Sequence, residues 1–408
     1  MEVRGTYNGQ QVVLLDRLIA TDAPRPKMTG TNLFPPYPYT ECGDPEVLEA
    51  DPVKLPFYGY NDATGRPFFL TGPYGSFLPV DGEQEATDYY ATIDPGNLYP
   101  TLQVWWTSHN FAADGSGGTR AAYLNDNDLG FGRDMHCLKT GNDLACYVTN
   151  YGAPDQNPAN ADAAASQDPT KRLATVAMEY KASEPIDRRV RFWVYNGGNP
   201  ATAAPLKFAD LDGMGPKPVP HLCTVCHGGE YDAVQKNALE SRFREFDLPS
   251  FKYTSGRSWD YGSTTLSTAE LADFASLNQM VHDVSPITNI SAIRRLIDAW
   301  YPSGFGGLPA PQQPAVPFLW VTHEPAYYGV YAKSCRTCHI ARDNGALTPS
   351  FYLFDKFSQF ATTASAVCGS PTPKVMPNAY VTYRNFWNDP QRVIDYRAIV
   401  NVTTANCQ

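Results

Sequence analysis

The chain has 408 residues, of which 32 are Lys or Arg and 42 Asp or Glu, giving a net charge of −10. No Lys/Arg-rich run interrupts that acidic balance, which excludes a nucleic-acid or anionic-lipid footprint, and no stretch approaches 18 consecutive apolar residues, which excludes a membrane-spanning helix. With 43% hydrophobic and 13% aromatic residues the sequence can build a folded core, and its length suits two or three domains.

Residues 1 to about 200 read as a β-rich domain of unknown role. Leu102-Gln103-Val104-Trp105-Trp106-Thr107, Thr175-Val176-Ala177-Met178-Glu179-Tyr180 and Arg189-Val190-Arg191-Phe192-Trp193-Val194-Tyr195 are strand candidates between Pro, Gly and Asn clusters, which suggests a sandwich or an irregular β domain. Trp105-Trp106 and the Tyr-rich segment 36–99 read as core and interface material. The stretch 153–169, rich in Ala, Asn and Asp, reads as a surface loop.

Gly130-Phe131-Gly132-Arg133-Asp134-Met135-His136-Cys137 places a cation, a carboxylate and two iron-ligand types in one Gly-bent segment. Arg133, Asp134 and His136 are candidate catalytic residues on that account. The plainer reading is a structural turn with a satisfied His and an Arg–Asp surface pair. Asn125-Asp126-Asn127-Asp128 and Asp210-Leu211-Asp212-Gly213 offer oxygen ligands of the kind Ca²⁺ takes, although neither matches a full EF-hand loop and solvated acidic turns explain both.

The strongest signal is a repeated pentapeptide, Cys223-Thr224-Val225-Cys226-His227 and Cys335-Arg336-Thr337-Cys338-His339. With this Cys and His content, chance would supply about 0.003 copies of C-x-x-C-H. The spacing suits two thiols adding across the vinyl groups of a haem while the adjacent imidazole reaches the iron. A zinc knot with four thiolates is the rival, and the His after each pair, together with an insert of about 108 residues, argues against it. His227 and His339 are therefore the expected proximal iron ligands, each Nδ1–H donating to a backbone carbonyl so that Nε2 is left for the metal. A surface His following a disulfide is the alternative.

From about 201 the pattern turns helical. Ser267 or Thr268 can cap a helix carrying Leu271, Phe274, Leu277 and Val281 at helical spacing, and Ile293, Leu296, Ile297 and Trp300 mark another that ends before Pro302. Gly304 to Pro317 reads as a linker. Beyond it, Glu324–Tyr331 leads into the second pentapeptide, Met376-Pro377-Asn378-Ala379 forms a Pro-containing loop, and Pro390–Val400 forms a closing helix.

That last set of features resembles a class I cytochrome c domain, and the two pentapeptides together resemble a dihaem c-type cytochrome. The fold expected is thus multidomain α+β: residues 1–200 β-rich, 201–303 a first haem c domain matched more weakly, 304–317 a linker, and 318–408 a second haem c domain. The resemblance implies Met376 as sixth ligand of haem 2 and a crossing of the two terminal helices; a core-filling Met is the other reading. Tyr380, Tyr383, Phe386 and Trp387 would wall that haem. For haem 1, Met280 lies 53 residues past His227 but on a helix rather than a loop, and His282, Met135, His136, Met214, His221 and His323 compete with it. Arg133, if it faces haem 1, suits a propionate.

Five cysteines lie outside the pentapeptides. Cys137 and Cys146 flank the turn signal Gly141-Asn142 and suit a hairpin-closing disulfide, Cys368 with Cys407 would tie down the end of the chain, and Cys42 is left over. The opening Met1-Glu2-Val3-Arg4-Gly5-Thr6-Tyr7 lacks the pattern of an export signal, whereas c-type haem is attached outside the cytoplasmic membrane. A processed chain in a bacterial periplasm or beyond the cell is the expectation. The leading function is electron transfer between redox partners with basic docking surfaces. A dihaem oxidoreductase, peroxidase-like, with a replaceable ligand at haem 1, is one alternative; a subunit of a multi-cytochrome assembly or extracellular conduit, homo- or hetero-oligomeric, is another.

Overall fold

A computed structural model of the chain describes residues 2–7, 10–16, 60–61, 67–70, 82–260, 263–285, 291–307, 309–310, 316–342, 353–368, 376–401 and 407. Cys42 and part of the 304–317 stretch lie outside them. Two compact units divide the chain, residues 1–34 and 35–408. The first holds an antiparallel hairpin, Glu2–Tyr7 against Gln10–Asp16, with a register shift between Val3 and Arg4.

The second unit mixes helices with a six-stranded antiparallel sheet in the order Phe251–Lys252, Thr119–Asn125, Gly132–Thr140, Asp143–Tyr151, Arg172–Tyr180, Val190–Asn196. Five of the strands follow one another as a meander, so each pairs with its sequence neighbour. Strands at 172–180 and 190–196 match the expectation. The sandwich does not form: the other sheets among the described residues are two-stranded, and helices cover the large sheet instead.

Local chemistry explains the hairpin at its centre. Gly141 has φ +61°, the left-handed conformation that a two-residue hairpin loop demands of its first member, and Thr140 pairs with Asp143 across it. The register then sets Cys137 directly opposite Cys146, and the two are joined by the expected disulfide. Gly130–Cys137 is accordingly no bent turn; from Gly132 onward it is a central strand.

Two further expectations are corrected. Leu102–Ser108 is a helix, not a strand, because Thr101 caps it by accepting a hydrogen bond from the Val104 N–H, and Leu102, Trp105 and Trp106 recur at helical spacing on its buried side. Within 153–169, Ala159–Ser166 is a helix lying on the sheet. It approaches so closely that a Cβ at Gly132 would collide with the Asn160 carbonyl, which is why that strand position is Gly.

The predicted helices form as Thr268–Val284 with a Ser267/Glu270 capping box, Ala292–Trp300 capped by Ser291, and Pro390–Val400 capped by Asp389. One apolar core runs from Trp105 through Tyr147 and Trp193 of the sheet to Cys223, Val225, Phe246, Phe274, Ile297 and Ile340. A second gathers Trp320, Tyr331, Phe360, Tyr383, Phe386, Trp387 and Tyr396, and is closed by the Cys368–Cys407 disulfide. In it, Pro390–Val400 packs against the helical turns Glu324–Ala326 and Tyr327–Tyr331.

Candidate functional site

Each pentapeptide forms a short helix, His221–His227 and Arg336–His339, and the two helices pack on one another. Their second cysteines meet, the Sγ atoms of Cys226 and Cys338 standing 3.6 Å apart without a disulfide. Two features lock the helices together, and a third ties the second helix to the segment at 241–250. Gly228, which ends the first helix with φ 73° and ψ −180°, sits where a Cβ would strike the Ala341 carbonyl. Arg342, three residues past His339, donates from Nη2 to the carbonyls of Thr224 and Val225 and from Nη1 to that of Gly229, satisfying the open end of the first helix. Arg336, inside the second pentapeptide, donates to Asp247 and lies over the Tyr327 ring.

Residues 241–250 pin the assembly. The Arg242 N–H donates to the His227 carbonyl at 2.7 Å, and the Arg242 carbonyl lies 3.0 Å from His227 Nδ1. Phe246 exchanges two hydrogen bonds with the Asn278 side chain. The Nδ1 contact is the one expected of a proximal ligand, and it leaves Nε2 to carry the lone pair. Burial pushes the His227 pKa down to about 3, with the Arg244 charge acting in the same sense, so the imidazole is neutral, the form a metal takes.

The four thiols differ. Burial pushes Cys335 up to about 12 and Cys223 higher still. Cys226 is lowered, chiefly because Cys338 donates to it, with Arg244 and Arg133 adding positive potential; Cys338 is raised by the same contact. Only Cys226 and Cys338 meet, and among the described residues no three metal-ligating side chains converge, so the geometry does not assemble the four-thiolate zinc knot.

Strand alternation sorts the candidates at 133–136. Arg133 and Met135 share the sheet face on which His227 lies against Phe192, with ring centroids 5.5 Å apart. Arg133 pairs with Asp128 at 2.8 Å and contributes to the field at Cys226 and His227. Asp134 and His136 point to the other face. There Asp134 pairs with Arg120 at 2.6 Å and accepts from Gln167, while His136 sits 3.3 Å from Asp134 and stacks on Tyr147. Arg133 and Asp134 thus form no pair with each other.

Met280 and Met135 are partly buried and pack against the first core. His282 Nε2 contacts Asp298 at 2.9 Å, His221 Nε2 contacts Glu85 at 2.8 Å, and His323 stacks on Phe357. Met376 packs against the second core together with Cys335, and Met214 joins that core rather than the first. Tyr380, Tyr383, Phe386 and Trp387 are buried there too, and the His339 ring lies 4.6 Å from that of Phe354. In the acidic turns, Asp128 and Asp126 face Arg133 and Lys252, Asp212 faces Lys217, and Asp210 accepts backbone N–H groups of Asp212, Gly213 and Gly215.

Sequence reasoning missed Arg244, Glu245, Asp247 and Arg342. Nothing in their spacing marks them, since they reach the pentapeptides only through the path of the chain. The donor set fits haem on two counts: a neutral imidazole with Nε2 left over, and buried Nε atoms of Arg133 and Arg244 that lack any partner and suit carboxylates such as propionates. No family model, no curated protein and no solved structure matches this chain.

Proposed function

We propose that the chain is a dihaem c-type cytochrome that carries electrons through two closely apposed haems. The observation that carries this reading is the 3.6 Å approach of Cys226 to Cys338, which brings together two attachment motifs 112 residues apart. Cys223 and Cys226 would hold one haem with His227 as proximal ligand, and Cys335 and Cys338 the other with His339. Bound haem supplies an iron that takes up and releases one electron. The chain's residues orient the imidazole through Arg242, exclude water with two aromatic cores, and offer Arg133 and Arg244 as counter-charges.

Met376 is the proposed sixth ligand of haem 2, supported by its place in the core that also holds Cys335. At haem 1 the histidines 136 and 282 already contact carboxylates, which favours the methionines 280 and 135. Because His136 is engaged with Asp134, the carrier is better supported than a peroxidase-like oxidoreductase. The haem c-like division at 201–303 and 318–408, a periplasmic or extracellular site and basic redox partners belong to the same reading; two disulfides suit an oxidising compartment.

Pyridine haemochrome assay and intact mass of the exported protein test it, with a gain of two haems expected; a haem-free chain refutes it. Oxidised samples should show low-spin iron with spin coupling between the haems. Met376→Ala should remove a near-infrared thioether-to-iron band, and an unchanged band removes Met376 as ligand.

A further inference from the structure

The chain between the two motif helices carries a buried acid with one carboxylate oxygen left without a hydrogen-bond partner. Glu245 is 5% exposed, and its Oε2 has no partner. The charged and titratable groups around it are Arg244 and Asp247 on its own segment, Arg336 on the second-motif helix and Tyr327 on the turn that precedes that helix. Arg336 is committed to Asp247, and Arg244 interacts electrostatically both with Glu245 and with the thiols of Cys226 and Cys338, so Glu245 sits in a field of both signs with nothing donating to its Oε2. A carboxyl in that position responds to any change of charge at the paired motifs.

Resting on the haem reading above, we propose that Glu245 is a redox-linked proton acceptor, taking a proton from solvent when a one-electron donor reduces the haem pair and returning it on reoxidation. The balance is simple: ferric iron, one electron, the Glu245 carboxylate and one proton become ferrous iron and the Glu245 carboxylic acid. One O–H bond forms and the buried charge is unchanged. Burial, reinforced by the neighbouring Asp247 and opposed by Arg244 and Arg336, already lifts the Glu245 pKa to about 7, where a further push is felt at neutral pH. A unit of charge removed about 10 Å away, at an effective dielectric constant of about 20, raises proton affinity more than tenfold.

Spectroelectrochemical titration of the purified holoprotein from mildly acidic to mildly alkaline pH tests the proposal. In the wild type at least one midpoint potential should fall as pH rises through neutrality, approaching about 59 mV for each tenfold change in proton concentration. Glu245→Gln should flatten that slope, and Glu245→Asp should keep it with a displaced pH range. A flat wild-type profile, or a slope that persists in Glu245→Gln, overturns the proposal. Reduced-minus-oxidised infrared spectra of wild-type protein labelled with ¹³C-glutamate need no variant: a protonated glutamate carbonyl band should appear on reduction, and its absence equally overturns the proposal. A chain without haem refutes the function of the preceding section and this proposal with it, whereas two haems with pH-independent potentials refute this proposal alone.

Discussion

The Cys226 sulfur lies 3.6 Å from the Cys338 sulfur, in a contact that depresses the first thiol and raises the second. Protein produced without haem should therefore, under mild oxidation, form a Cys226–Cys338 link in preference to Cys223–Cys226. Peptide mapping by mass spectrometry checks this; a predominant link within one pentapeptide would show that the helices do not pack as described. On the proposed haem attachment, a holoprotein with both sulfurs alkylated would form neither.

Gly228 is the hinge of that packing. Its φ and ψ lie in a region that only Gly occupies readily, and a methyl group there meets the Ala341 carbonyl. Gly228→Ala should destabilise the fold by about 1–3 kcal/mol through backbone strain alone, with the close contact adding to that. Denaturant unfolding of both proteins measures the difference. A neutral substitution would mean that the motif helices are free to move apart.

Glu270 supplies a pH-dependent contribution. Its hydrogen bonds from Arg257, at 2.7 and 3.1 Å, lower its pKa to about 2, with the Ser267 capping bonds acting in the same sense. A carboxylate depressed in the folded state adds stability that is complete above its unfolded value, near 4.5, and is lost as pH falls through about 2. Glu270→Gln should cost about 0.5–2 kcal/mol at neutral pH, the range for a helix cap, and the gap from wild type should close on acidification. Thermal melts across that window measure it; a gap that stays constant with pH would contradict the assignment.

His136 is placed as a structural residue. Stacked on Tyr147 and 3.3 Å from the buried Asp134, it faces away from the sheet surface that carries His227. His136→Ala should lower stability by about 1–3 kcal/mol, because a buried polar neighbour loses a partner, and should leave the visible and EPR spectra of both proposed haems unaltered. A spectral change confined to one haem would restore it as a ligand or distal group.

The pentapeptides, the helices 268–284, 292–300 and 390–400, and the Cys137–Cys146 disulfide are legible in the linear sequence because each depends on spacing within a short window, whereas the Cys368–Cys407 bridge, 39 residues apart, is legible only from which cysteines the pentapeptides leave over. A capping Ser three residues before Glu270, apolar residues at 293, 296, 297 and 300, and a Gly-Asn turn between two cysteines are local statements that neighbouring residues enforce. The helix at 102–108 was misread because Val and Trp favour strands as well as buried helix faces, and only the Thr101 cap decides between them. The helix at 159–166 was hidden in an Ala- and Asn-rich stretch whose stability comes from packing on Gly132.

What the sequence alone determined is the chemistry on offer: thiol pairs and imidazoles at a spacing that suits a porphyrin, an acidic surface, and cysteines enough for two disulfides. Tertiary structure decided where that chemistry is used. The contact between Cys226 and Cys338, the Arg342 bonds across 112 or more residues, and the buried Glu245 beside Arg336 all join parts of the chain far apart in sequence. No local pattern encodes such contacts, because the free energy that selects them comes from burying both cores together rather than from any one segment's own preference.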